Sequence, residues 1–382
     1  MWWTILAAVT LIIVVGAVLQ IEIGNRRISA LRDQAPAPRT PCPRVSIVVA
    51  ARNEQQHVES AIQSFLQLDY GDLEIIAVND RSTDRTGDIL QALAAHHAAL
   101  QVEHVLELPA GWLGKNHAQW RGAQRARGEY LLFTDADVVM DPLTLRRAIA
   151  YVTRQEADHV TISPHPVMPS LILQAFVVLF INLFALFLRP WKVADPHSSA
   201  FIGIGAFNLV RRDVYEAVGT HQTIAMRPDD DVKLGKIIKS NGYRQRVLFG
   251  NDMIRVPWYD SVRALILGME KNAFSGVDYR IWLVLLSTAV LLATVVWPFV
   301  AVWVLSGPAR YLYTAVVLLL LVRSWITARD LHQSRWSPLL LPLVVLLLIY
   351  IQWRAMLLTY IRGGIRWRDT HYPLADLKAN RV

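Results

Sequence analysis

Tyr130-Leu131-Leu132-Phe133-Thr134-Asp135-Ala136-Asp137 is the stretch on which the fold turns. An unbroken apolar run followed by polar residues is what a strand buried on both faces requires. The run stops at two carboxylates one residue apart. Oxygen ligands of this kind suit Mg²⁺ or Mn²⁺, which often share their coordination with substrate phosphates. A D-x-D triplet alone is more often a solvated turn than a metal site. Its neighbours give this one weight.

Upstream, the same pattern of buried strand and polar turn recurs. Val45–Ala50 is a continuous apolar run, Leu73–Val78 a second and Val102–Val105 a third, with Tyr130–Thr134 as the fourth strand. Between them Glu54–Leu68, Asp84–His97 and Lys115–Arg127 read as helices. Strands alternating with helices predict an α/β domain with a mainly parallel sheet and helices on both faces. Ligands of such sheets bind beyond the carboxyl ends of the strands. Asn53, Asp80 and Asp135 all lie there.

The chain has 382 residues, enough for about two domains. Hydrophobic residues make up 53% and charged ones 18%, which is apolar for a soluble enzyme. The excess sits towards the ends. Trp2–Leu19 is uncharged and is followed by Arg26, Arg27 and Arg32. Its length suits a bilayer. No basic residue precedes it and no small-residue cleavage site stands before Glu22, so a retained anchor is expected over a signal peptide. Ile281–Leu305, Tyr311–Ile326 and Pro338–Ile361 are further membrane candidates, the last interrupted by Arg354. Trp282, Trp297, Tyr311, Trp325, Trp336 and Tyr360 suit an interfacial belt. Leu171–Leu188 is also apolar enough to span. Gln174, Asn182 and the following Arg189-Pro190-Trp191-Lys192 favour a helix lying in the interface.

The expected layout is an N-terminal transmembrane anchor over 1–21 and a basic, Pro-rich linker over 22–43. A catalytic domain follows over 44–260, with its interfacial helix at 171–189. A juxtamembrane amphipathic segment over 261–280, a membrane domain of two to three spans over 281–361 and a basic tail over 362–382 complete it. Three spans would leave the tail outside, whereas Arg362, Arg366 and Arg368 place it inside. One segment is therefore expected to be re-entrant or interfacial, either Pro338–Ile361 or Tyr311–Ile326. The net charge of +8 clusters beside the apolar segments, as positive-inside bias and anionic lipid demand. It forms no soluble basic stripe, so a nucleic-acid partner is not expected. The single Cys42 excludes an intrachain disulfide framework and any multi-cysteine metal site.

Four motifs follow one another in order. Val45-Ser46-Ile47-Val48-Val49-Ala50-Ala51-Arg52-Asn53-Glu54 ends the first strand, and Val78-Asn79-Asp80-Arg81-Ser82-Thr83-Asp84-Arg85-Thr86 ends the second. Thr134-Asp135-Ala136-Asp137 ends the fourth, and Pro228-Asp229-Asp230-Asp231-Val232-Lys233-Leu234 comes later. Acids at Asp229–Asp231 also fit a plain helix N-terminus, where they favour the macrodipole. That explains acids in general but not the linked pair at Asp135 and Asp137. The ordered set, over about Arg44 to Tyr259, resembles the glycosyltransferase family 2 enzymes with a GT-A fold.

The resemblance implies a Rossmann-like GT-A domain beside transmembrane helices, with site residues at matching positions. The turn at Ala51, Asn53 and Glu54, with Asp80, matches the residues that hold the nucleotide. Asp135 and Asp137 match the metal-binding D-x-D, with Asp137 the direct ligand of Mg²⁺ or Mn²⁺. Asp231 matches the family's catalytic base, and Asp230 stands where the family has Glu. Three aspartates in a row leave open which one is the base. Gly111-Trp112-Leu113-Gly114-Lys115-Asn116 is similar to a stretch of membrane-bound members that glycosylate lipids, including ceramide- and carotenoid-type glucosyltransferases. There the Lys faces the donor, which assigns Lys115. Processive members carry Q-x-x-R-W before their membrane helices. Here the place reads Gly268-Met269-Glu270-Lys271-Asn272, without the stacking aromatic; Lys271 is either diphosphate-facing or an ordinary juxtamembrane cation. His117, His165, His197 and His221 lack metal-ligand spacing and read as structural or acceptor-site residues.

Such chemistry needs this set. The leaving group is a diphosphate whose charge a metal neutralises. The acceptor hydroxyl needs a base, worth about 10²–10⁴-fold. The expected protein is a multi-pass enzyme of the cell (inner) membrane with its catalytic domain facing the cytosol. It would move one sugar with inversion from a nucleotide-sugar donor, a UDP-sugar first, to a lipid acceptor. The alternatives are a processive polysaccharide synthase and a non-catalytic, transferase-like transport or scaffold protein.

Overall fold

The computed structural model describes residues 1–382, and the chain falls into two compact units. One, the sheet unit, comprises Ile28–Val167, Pro190–Pro257 and Ala379–Val382. The other, the helical unit, comprises Met1–Arg27, Met168–Arg189 and Trp258–Lys378.

The strands in chain order are β1 (Val45–Ala51), β2 (Leu73–Asp80), β3 (Leu100–Val105), β4 (Tyr130–Asp135), β5 (Val139–Met140) and β6 (His159–Ser163). They continue with β7 (His165–Val167), β8 (Asn208–Arg211), β9 (Gln245–Phe249), β10 (Ile254–Pro257), β11 (Gly364–Trp367) and β12 (Thr370–Pro373). The helices are α1 (Trp2–Asn25), α2 (Val58–Leu66), α3 (Thr86–His96), α4 (Gly114–Arg125), α5 (Thr144–Arg154), α6 (Leu171–Leu188) and α7 (Arg212–Ala217). Then come α8 (Asp230–Ser240), α9 (Val262–Ser275), α10 (Ile281–Leu291), α11 (Trp297–Val304), α12 (Gly307–Asp330), α13 (Leu341–Ile361) and α14 (Leu374–Ala379).

The central sheet of the sheet unit has seven strands in the order β3-β2-β1-β4-β8-β6-β9. The first four run parallel, as the alternation predicts. β8 is antiparallel to both β4 and β6, and β6 and β9 are again parallel. The fold class is thus mixed α/β with a mainly parallel sheet. Residues of β1 alternate between two cores, as a period of two requires. Ile47 and Val49 join Phe65 of α2, Leu90 of α3 and Ile149 of α5. Val48 joins Ala118 of α4, Val214 of α7 and Leu234 of α8. α4 comes close because Gly122 has no Cβ; one placed there would lie 2.5 Å from Val48. Register sets Ala50 opposite both Val78 and Asp135, so β1, β2 and β4 end level at one edge.

The helix expected over Glu54–Leu68 begins only at Val58. Asn53 is left-handed (φ 54°), and the turn after β1 is stitched to the turn after β2. The Asn53 N–H donates to Ser82 Oγ (3.0 Å), the Thr83 N–H to Asn53 Oδ1 (2.8 Å) and the Glu54 N–H to Thr86 Oγ1 (2.8 Å). These bonds hold Asn53 and Glu54 in the turn, and the Glu54 carbonyl accepts from His57 (3.0 Å) and Val58 (2.9 Å) just ahead of the regular helix.

In the helical unit five helices are long and apolar enough to cross a membrane: Trp2–Asn25, Leu171–Lys192, Ile281–Val304, Gly307–Asp330 and Ser337–Ile361. α10 and α11 are joined by a π-helical stretch, Leu292–Val296. It stands just before Pro298, which has no N–H to give the regular ladder. α6 packs against α12 and α13. Asn182 of α6 accepts from Arg323 of α12 (3.1 Å) and from Thr327 (3.0 Å), while Arg323 also pairs with Glu22 of α1 (3.0 Å). α13 runs unbroken through Arg354, whose charge Glu270 of α9 meets at 3.3 Å; Glu270 also takes Arg362 at 2.7 Å.

Candidate active site

The nucleotide-side residues gather where β1 and β2 end. Ala51 is the buried last residue of β1. Asp80, also buried, accepts from Arg81 at 2.7 and 3.0 Å and lies 3.7 Å from Arg52. A Cβ on Gly114 would fall onto the Asp80 carboxylate, so α4 starts directly against this acid. Beside it Trp112, His117 and Trp120 form an aromatic group with ring centroids 5.3–5.9 Å apart. Burial, then the Arg121 charge, lowers the His117 pKa and keeps the ring neutral.

At the end of β4, Asp135 Oδ1 holds Lys115 Nζ at 2.7 Å. The same ammonium lies 3.5 Å from Asp230 Oδ2. Burial of Lys115 favours its neutral form, but Asp135, Asp230 and Asp231 together outweigh this and raise its pKa above the ordinary lysine value. Asp137 contrasts with Asp135. Its Oδ1 is buried and has no hydrogen-bond partner. Burial, then the charges of Asp135 and Glu54, push the Asp137 carboxyl up to about 7. An orphaned carboxylate oxygen beside a second carboxylate is costly for the protein alone. It is what an oxygen-seeking divalent cation relieves, so the residues present fit one.

Asp230 and Asp231 open α8, with Asp229 as N-cap. The Asp231 carboxylate accepts the Gly205 N–H on Oδ2 (2.7 Å) and the Val232 N–H on Oδ1 (2.8 Å). Burial, then the adjacent Asp230, raises its pKa to about 7, the value suited to a base working near neutrality. The segment 202–205 lies against α8 backbone to backbone. A Cβ on Gly203 would strike the Asp231 carbonyl, and one on Gly235 the Ile202 carbonyl. A Cβ on Gly205 would sit 2.7 Å from Asp135 Oδ2 and 3.4 Å from Lys115 Nζ.

The sheet unit therefore collects Ala51, Asn53, Glu54, Asp80, Lys115, Asp135, Asp137, Asp230 and Asp231 at one edge of its sheet. Lys271 lies outside the sheet unit's stretch of sequence. It belongs to the helical unit, where its ammonium stands 3.9 Å from the centroid of Trp367. Of the histidines, His221 is structural: it is buried and hydrogen-bonded through Nδ1 to Tyr215 Oη at 2.8 Å. His165 lies on β7, and His197 is exposed in the loop after α6. Sequence reasoning missed Arg52 and Arg81, which flank Asp80, and the glycines of Gly203-Ile204-Gly205. The G-x-G spacing between an apolar helix and a strand was the available signal for the glycines.

Residues 46–219 match the family model described as Glycosyl transferase family 2. The poly-beta-1,6-N-acetyl-D-glucosamine synthase of Staphylococcus epidermidis is 35% identical over 97 residues, covering 25% of this chain and 22% of that one. The 4,4'-diaponeurosporenoate glycosyltransferase of Staphylococcus haemolyticus is 30% identical over 128 residues, 32% of each chain. The chain spans about a third or less of the length of these two relatives. The mannosyltransferase PcManGT of Pyrobaculum calidifontis, solved with GDP-Man and Mn²⁺, has the same fold: TM-score 0.60 at 20% identity, over 92% of this chain and 99% of that one.

Proposed function

We propose that the chain is a family 2 glycosyltransferase, the family whose model matches residues 46–219, and that it transfers a single sugar, with inversion, from a nucleotide-sugar donor to the hydroxyl of a membrane lipid. The observation that carries the proposal is the Lys115 bridge, 2.7 Å from Asp135 and 3.5 Å from Asp230. It joins a site for a diphosphate to a site for a base through one charge.

Roles follow from surroundings. Asp80, Asn53, Glu54 and the end of β1 at Ala51 hold the nucleoside. Asp137, with its buried orphan oxygen, and Asp135 would hold Mg²⁺ or Mn²⁺. When bound, that ion supplies charge neutralisation at the departing diphosphate. Lys115 faces the same phosphates. Asp231, aimed by the Gly205 and Val232 N–H groups, takes the acceptor proton. The acceptor oxygen then forms its bond to the anomeric carbon as the bond to the diphosphate oxygen breaks. A single displacement inverts the centre.

The lipid acceptor is supported by the five apolar helices and by α6, which enters the sequence of the sheet unit just before Gly203–Gly205. Gln174, Asn182 and the basic residues after Leu188 favour α6 in the membrane interface. The catalytic face is assigned to the cytosol by Arg26, Arg27 and Arg32 after the first apolar run.

Membranes bearing the chain should be given radiolabelled nucleotide sugars in turn. One donor should label a lipid that extracts into organic solvent, and a chelator should abolish the labelling until Mn²⁺ or Mg²⁺ is returned. Donor binding without transfer from any sugar would make the domain a non-catalytic scaffold. Full turnover in chelator would remove the metal from the scheme.

A further inference from the structure

We propose that Asn380, far from the active-site motifs in sequence, is a positioning residue of the transfer step, clamping the loop that delivers Asp230 and Asp231; this rests on Asp231 being the base.

The loop between the short 3₁₀ turn Thr220–Gln222 and α8 has no strand or helix to satisfy its backbone. Buried backbone polar groups need partners, and here side chains provide them. Asn116, fully buried beside Lys115, donates through Nδ2 to the carbonyls of Ile224 (2.7 Å), Ala225 (3.2 Å) and Arg227 (2.9 Å). The Leu113 N–H adds a bond to the Ala225 carbonyl (2.8 Å). Asn380 engages two further groups, a part-buried N–H and an exposed carbonyl. Its Oδ1 accepts the Met226 N–H (3.0 Å) and its Nδ2 donates to the Thr223 carbonyl (2.9 Å).

Past this clamp the loop is pinned once more. Buried Arg227 forks onto both oxygens of Asp229 at 3.0 and 3.1 Å, and Asp229 caps α8. Positions 223–227 are therefore held by two asparagines far apart in sequence, one on α4 and one in Ala379–Val382, and the next residues are the acids. Asn is the side chain that offers an acceptor and a donor together. Asp at 380 keeps the first bond and loses the second, and Ala loses both.

The test compares Asn380→Ala, Asn380→Asp and the exposed Arg381→Ala in the full-length chain, purified in detergent with Mn²⁺. Donor Kd, donor KM, kcat and thermal midpoint are read for each. Asn380→Ala should lower kcat about tenfold with donor Kd within about twofold. Asn380→Asp should fall between it and the wild type, and Arg381→Ala should match the wild type. If Asn380→Ala does not fold, Asn380→Asp carries the test by the same split of kcat from Kd. Unchanged kcat, or a kcat loss matched by lost donor affinity or lost folding in every Asn380 variant, overturns the clamp. Asp231→Asn measured alongside separates the two levels. If it is inactive while Asn380→Ala is normal, only the clamp fails. If it is fully active, the base assignment itself fails.

Discussion

Asp230 and Asp231 are neighbours on one helical turn, yet their surroundings divide them. Asp230 faces the Lys115 charge, whereas two backbone N–H groups aim Asp231. Asp231→Asn should keep donor binding and transfer at least ~10²-fold more slowly, measured by calorimetry and single-turnover rates. If Asp230→Asn is the inactive one and Asp231→Asn works, the base has been placed one residue too late. The raised Asp231 pKa, about 7, fixes the sign of a pH effect. A base works deprotonated, so kcat/KM should rise with pH up to about 7 and flatten above it. Asp230→Asn removes the second cause of the shift and should move that rise to lower pH. His159 and His221 make a separate statement about stability. Burial lowers them from 6.5 to about 4 and about 3 respectively. The folded chain refuses protons that the unfolded chain accepts below 6.5, so their contribution is present above that pH and lost progressively below it. The thermal midpoint should fall as pH drops from about 6.5 to 4.5.

Two elements, the segment 202–205 and α8, meet along their backbones, and glycines make this contact feasible. Gly235→Ala isolates the effect. Inside a helix, Ala is favoured over Gly by about 1 kcal/mol. Here its Cβ would strike the Ile202 carbonyl, and overpacking typically costs about 1–3 kcal/mol. The substitution should therefore lower the thermal midpoint rather than raise it. Gly203→Ala, pressing on the Asp231 carbonyl, should lose more activity than stability. The G-x-G spacing marks Gly203, but the contact each glycine makes was not legible in the sequence, because its partner lies in a distant segment. β1, β2 and β4 were legible because strands buried on both faces read as apolar runs. β6, β8 and β9 were not, since short strands such as Asn208–Arg211 carry no such run. Asp135, Asp137 and Asp231 stood out as acids at strand or helix ends. Lys115 came only through resemblance, and its bridge from Asp135 to Asp230 needed coordinates. The start of α2 was misplaced because Ser82, Thr83 and Thr86, beyond β2, decide it.

For the molecule as a whole, the proposed transfer of one sugar sets an expected product size. The labelled lipid should bear one sugar or at most a few, and should stay that size when donor is raised far above acceptor. A water-soluble ladder lengthening with donor would favour a polymer synthase. Two facts about the sheet unit carry a count of membrane crossings: β4 and β8, on either side of α6 in sequence, pair directly, and Ala379–Val382 belongs to the same body. One folded body occupies one side of a bilayer. Every excursion of the chain from it must come back, and so must cross an even number of times. The excursion through 168–189 holds one apolar helix, so α6 is expected not to cross. The excursion through 258–378 holds three, so two cross or none does. The turn Leu305-Ser306 is uncharged, whereas Arg329, His332 and Arg335 surround the turn after α12. Positive-inside bias would then make α10–α11 and α12 the crossing pair. With α1 the expected total is three of the five helices that have the length. In a Cys42→Ser background, Ala92→Cys, His197→Cys and Ala379→Cys should all resist an impermeant thiol reagent in intact cells, and Ser306→Cys alone should react. Reaction at His197→Cys but not at Ala92→Cys would contradict the even count and divide the sheet itself between two compartments.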